Sequence, residues 1–129
     1  MNLYIDENRL VSSIRVRFPE EAALTEQRLA GQGLDPAERN EFPHMWVEAF
    51  ADRITQAIKR RDIAAIRAQT GFLAEQYRAA PDALRSIVDV SYAENIMWDA
   101  SDEEKAWAWE FIAADIRQLY EQMWRKPTA

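Results

Sequence analysis

Apolar residues recur along this chain at intervals of three and four, the spacing that puts side chains on one face of an α-helix. Leu10, Ile14 and Phe18 are each four apart, with Val11 beside them. They predict a first helix over about Asp6 to Arg17, with Asp6 as its cap. Phe18-Pro19 should end it, because proline disfavours helix in the residue before it. A weaker second helix, about Glu20 to Ala30, rests on Leu24 and Leu29 and stops at Gly31 and Gly33. Gln32 to Glu41 is polar, contains Pro36 and reads as an exposed loop with one helical turn.

The third helix should open at Pro43, a residue suited to a first turn. Trp46, Val47, Phe50, Ile54, Ala57 and Ile58 give it a strong inner stripe. It closes on Lys59-Arg60-Arg61, whose charges favour the negative end of the helix dipole. Asp62 is placed to cap a fourth helix with Ile63, Ile66, Leu73 and Tyr77 inward. Gly71 inside that helix suggests a close approach by a neighbour. Pro81-Asp82 starts a fifth, with Leu84, Ile87, Val88, Ser91, Tyr92 and Ile96 on its apolar face. Ser101 and Glu104 have the spacing of a capping box, so a sixth helix should run from there to about Arg125. Ala106, Trp109, Ala113, Ile116, Tyr120 and Met123 would form its stripe, broadened by Trp107, Phe111, Ile112, Leu119 and Trp124. No β-branched alternation marks a strand. The pattern predicts an all-α bundle of about five to six helices, antiparallel to their neighbours because the connections are short.

The 129 residues fit one domain, 1–129, with residues 1–4 and 126–129 frayed. Hydrophobic residues make up 48% and include five Trp, so the chain has the means to build a core rather than stay disordered. It contains no Cys, which removes disulfides, thiolate metal sites and a Cys nucleophile. The N-terminal residues lack a basic and then apolar signal pattern, and no apolar run has the length of a membrane span. A cytoplasmic protein without a membrane partner is the expectation. Net charge of −6 runs against nucleic acid as a partner and favours either solubility alone or a basic protein partner.

Candidate chemistry is sparse. His44 has no second His or Cys with which to share a metal, and it should bond the preceding loop. Ser12, Ser13, Ser86, Ser91 and Ser101 lack the Gly-x-Ser-x-Gly frame of a nucleophile elbow. Ser91, on an inner face, should bond a backbone carbonyl. Gly31-Gln32-Gly33 has neither the third Gly nor the Lys of a phosphate loop. Glu48 with Asp52, Glu94 with Asp99 and Asp102 with Glu103 are the carboxylate pairs available for acid–base work or a divalent ion. Arg53, Lys59, Arg60, Arg61 and Arg67 form a basic stretch, but acids interleave it and helix-end charge explains its core. The expectation is no enzyme, no catalytic or metal residue and no cofactor.

One stretch differs. From Asp99 to Glu104 there are four acids and no base, with Trp98 before and Trp107 after. Aromatic anchors inside a charged rim are what protein interfaces use. Trp98, Asp99, Asp102, Glu103, Glu104 and Trp107 are the candidate partner-binding residues; the alternative is a solvated turn in which Asp102, Glu103 and Glu104 only favour the positive end of the sixth helix.

Three segments carry a resemblance: the amphipathic first helix closing on Arg17-Phe18-Pro19, the helix start Phe42-Pro43-His44-Met45-Trp46, and Val90-Ser91-Tyr92-Ala93-Glu94-Asn95-Ile96 followed by the acidic turn. In these the chain resembles a family of small, acidic, all-helical bacterial proteins of unknown function whose members look like immunity proteins of polymorphic toxins. The resemblance implies an inhibitor that binds one cognate toxin stoichiometrically. Ser91, Tyr92, Glu94 and Asn95 would be shared positions of the packed frame, and no binding site transfers with them. Two alternatives stand beside this reading: a self-associating helical adaptor, which leaves monomer or homodimer open, and a small metal-dependent hydrolase using paired carboxylates.

Overall fold

The computed structural model describes residues 4–127, and those residues are helical with no strand among them. The frayed ends expected at residues 1–3 and 128–129 lie outside the described residues.

Helix α1 spans Ile5–Arg17 and buries Leu10, Val11 and Ile14. Its cap is Tyr4, in a left-handed conformation with no side-chain hydrogen bond. Asp6 is therefore not the cap; it lies in the first turn beside Glu7, where negative charge still favours the helix dipole. One residue, Phe18, separates α1 from α2 (Pro19–Gly31). Its N–H closes α1 on Ile14, and Pro19 occupies the first position of α2. The inner face of α2 is Ala22, Thr25 and Leu29, while Leu24 lies 43% exposed. Leu24 sits about 100° round the helix from Thr25, so the small residues set the packed face and the leucine is turned out. Gly33, at φ +84, makes the left-handed turn that follows. The expected loop contains a 3-10 helix, Pro36–Glu41, capped by the Asp35 carboxylate accepting from the Ala37 N–H at 3.0 Å.

Helix α3 (Pro43–Lys59) is the axis of the molecule. It packs on α1, α2 and α4 (Ile63–Arg78), and on the segments that follow. Trp46, Val47, Phe50, Ile54, Ala57 and Ile58 are all essentially inaccessible, as their spacing predicted. Ala49, Ala51 and Thr55 are buried too, so the helix is enclosed on most sides. Trp46 stacks on Phe50 at 5.6 Å, and Phe18 joins Phe50 to Phe72 through contacts of 6.1 and 5.6 Å.

Asp62 caps α4 as expected, accepting from the Ala65 N–H at 3.0 Å. Ile66 and Leu73 point inward, but Ile63 is 37% exposed. Gly71 makes no close contact: a Cβ there would meet nothing within 4 Å. Its place in the helix is not explained by packing.

Two departures from the predicted elements matter more. The fifth helix begins as α5 (Asp82–Ser86) and widens into a π-helix over Ile87–Ala93. The sixth is two helices: α6 (Asp102–Ala108), continued by a 3-10 turn over Trp109–Phe111, and α7 (Ala114–Met123). The break falls where Ile112 and Ala113 adopt extended ψ of 134° and 141°. The Ala113 N–H, instead of extending the helix, donates to the Thr70 hydroxyl at 3.1 Å. The change of direction lets Trp109, Ile112 and Ile116 all be buried.

Candidate functional site

The π-helix ends in a turn that sets the direction of Trp98. Asn95 donates from its side chain to the carbonyls of Ser91 at 2.9 Å and Val90 at 3.2 Å, satisfying acceptors the helix end leaves open. Met97 is left-handed, at φ 64, and fully buried. With Met97 turned in, Trp98 is turned out and stands 70% exposed. The end of α7 returns to the same place. The Trp124 indole N–H donates to the Glu94 carbonyl at 2.9 Å, and its ring lies edge-on to Trp98 at 6.0 Å.

On its other side Trp98 borders an open cleft of about 340 Å³ with Met45, Glu48 and the Arg28–Asp52 ion pair. That ion pair measures 2.8 Å, and Gln56 also donates to Asp52. Asp52 is thus engaged, whereas exposed Glu48 joins no ion pair among the described residues. Met45 is 48% exposed on the outer face of α3.

The six residues singled out by sequence divide. Trp98 is the exposed centre just described. Asp99 reaches the Lys59 ammonium at 3.3 Å, although its side chain remains largely in solvent. Glu104 closes the capping box: its carboxylate accepts from the Ser101 N–H at 2.8 Å, and its own N–H donates to the Ser101 hydroxyl at 3.1 Å. The Ser101 backbone hydrogen bond, then the Ser101 hydroxyl and the charges of Lys59 and Arg61, hold this carboxyl below its ordinary value. Trp107 is half-buried against Phe111, with the Arg61 guanidinium 4.4 Å over its ring. Its aromatic and cation neighbours differ from those of Trp98. Asp102 and Glu103 stay exposed, and Asp102 shares a shallow cleft with Lys105, Arg125 and Lys126. A turn with no base in its own sequence thus gains several from elsewhere in the fold.

Sequence reasoning missed Met45, Glu48 and Trp124 as neighbours of Trp98. The signal for the first two was present: Met45 and Glu48 are three apart on the polar face of α3, and an apolar residue there is out of place.

Among the described residues, His44 bonds neither the preceding loop nor a cluster of acids that could hold a metal. Its Nδ1 lies 2.9 Å from the Ser91 hydroxyl, and its Nε2 lies 3.8 Å from the Glu7 carboxylate. Ser91 accordingly bonds an imidazole rather than a backbone carbonyl. A serine, histidine and glutamate in line suggest nucleophilic chemistry, but Ser91 is only 5% exposed. An attacking oxygen must reach a substrate carbonyl, and this one is covered. The Ser91–His44 contact joins α3 to the π-helix, and Glu7 of α1 lies alongside. Nearby, the buried Tyr92 hydroxyl donates to the Gln69 carbonyl oxygen at 2.8 Å, and burial pushes its pKa well above 10.0.

No described helix is long and apolar enough to cross a membrane. What the geometry defines is an all-α domain with an exposed tryptophan on a mixed, acid-bordered face. The family is shown by the sequence: residues 11–125 match the family described as Domain of unknown function (DUF7674), and the chain belongs to it. No curated protein and no solved structure matches the chain.

Proposed function

We propose that this domain works by binding another protein, as an immunity protein that neutralises a cognate bacterial toxin by stoichiometric contact. The observation that carries the reading is Trp98, 70% exposed yet packed edge-on against Trp124. An indole held in place and left in water is a ready anchor, because large rigid aromatics contribute most of the energy at protein interfaces. Glu48, Asp102 and Glu103 border the anchor or its turn without partners of their own within ion-pair distance among the described residues. With a net charge of −6 they favour a basic partner.

The test is co-expression with candidate toxin domains, beginning with any encoded by a gene adjacent to this one. Wild-type chain should restore growth, and Trp98→Ala combined with Asp102→Lys and Glu103→Lys should not. Toxicity unaffected by the wild-type chain would remove this reading.

A second reading has one observation in its favour. Trp98, Trp124 and Met123 are all exposed near the end of α7, and such a patch also suits a second copy of the chain. Light scattering after size exclusion separates the two, since a homodimer through this face would hide Trp98 from the toxin.

A further inference from the structure

A second cleft, of about 320 Å³, opens where the start of α2 meets α3 and α4. Its floor is small: Ala57, Ala65 and Ala68 leave room that larger side chains would fill. Its walls hold three arginines, Arg17 from the end of α1, Arg53 from α3 and Arg60 from the residue just past the end of α3. Helix-end charge favours Arg17 and Arg60 where they stand, but Arg53 lies in the body of α3 and has no such account.

Existing partners do not supply one. Arg60 is 3.6 Å from Asp62, and Arg17 lies 4.6 Å over the Phe18 ring. Arg53 joins no ion pair among the described residues, and its Nε is buried with no hydrogen-bond acceptor. A buried donor left unpaired is costly, and more so on a charged group. Glu20 and Glu21 also line the cleft, but neither comes within ion-pair distance of these arginines. The first turn of α2 adds donors of its own. Phe18 provides no side-chain cap, so the Glu20 and Glu21 N–H groups have no acceptor inside the helix.

We infer that this cleft binds a compact anion, a phosphate- or pyrophosphate-bearing small molecule. Guanidinium forks and open helix amides both match phosphate oxygens. The volume lies at the lower end of small-molecule sites. Glu20 and Glu21 line the same cleft and, with the net charge of −6, disfavour an extended polyanion such as nucleic acid. This site shares no residue with the Trp98 face and stands independently of it.

The experiment is calorimetric titration and thermal unfolding of the full chain with sodium pyrophosphate and with inorganic phosphate, against sodium chloride at equal ionic strength. Pyrophosphate should bind and raise the Tm beyond chloride. Arg53→Met and Arg60→Met should each weaken binding about tenfold, and Arg125→Met should leave it unchanged. Should Arg53→Met fail to fold, exposed Arg60 carries the comparison. Equal responses to pyrophosphate and chloride, or wild-type affinity in Arg60→Met, would overturn the assignment.

Discussion

Trp98 and Trp124 meet edge to face, their ring centroids 6.0 Å apart and their planes inclined by 62°. The contact joins the turn after the π-helix to the last turn of α7. It gives an otherwise solvated indole a fixed orientation, which lowers the entropy lost when a partner covers it.

Trp98→Ala should therefore separate binding from stability. An exposed aromatic pair contributes about 0.5–1.5 kcal/mol, so urea denaturation should show a loss no larger than that. Affinity for the partner should fall at least about tenfold, as for a central interface aromatic.

The core answers differently. Phe50 touches Phe18, Trp46 and Tyr92 and is inaccessible to solvent. Phe50→Ala should cost about 3–5 kcal/mol, read as a lowered urea midpoint.

The break before α7 makes a sharper prediction. Ala114 is exposed, stands first in α7 and follows a residue with ψ of 141°, a conformation that suits the position before proline. Ala114→Pro should keep or raise the Tm, since proline there costs no hydrogen bond and restricts the unfolded chain. In an unbroken helix to Arg125 the same change would cost about 3 kcal/mol.

Two titrating groups give opposite pH responses. The Tyr92 pKa is raised in the folded state by burial, so its contribution is complete below pH 10.0 and is lost as pH rises toward the folded value. Tyr92→Phe should flatten that alkaline decline while leaving Gln69 without its donor, at a cost of about 1–3 kcal/mol at neutral pH. The Glu104 pKa is lowered, so its contribution is present above 4.5 and lost as pH falls through the folded value. Glu104→Gln should remove that part of the acid decline. Chemical denaturation across pH checks both.

The sequence resolves what depends on neighbours along the chain. Phe18-Pro19, the Asp62 cap, the Ser101–Glu104 box and the α3 stripe all follow from local spacing, and all are present. The π-helix was not legible because Leu84, Ile87, Val88, Ser91 and Tyr92 fit an α-helical face as well. Distant groups fix the wider turn, as His44 meets Ser91 and Gln69 meets Tyr92. The break at Ile112–Ala113 has no proline or glycine to announce it; Thr70, from α4, takes the N–H that would have continued the helix. The site divides in the same way. An exposed Trp98 beside acids could be read from the sequence. The cations Lys59 and Arg61, the half-burial of Trp107 and the approach of Trp124 are tertiary facts.

The most direct test of the Trp98 face is the affinity of the purified chain for a basic toxin domain that it protects against in co-expression, measured at low and high salt for wild type and Trp98→Ala. The account predicts tight wild-type binding that weakens with salt, and weaker binding by the variant at both salt concentrations. Equal affinities for the two proteins, unchanged by salt, would contradict it.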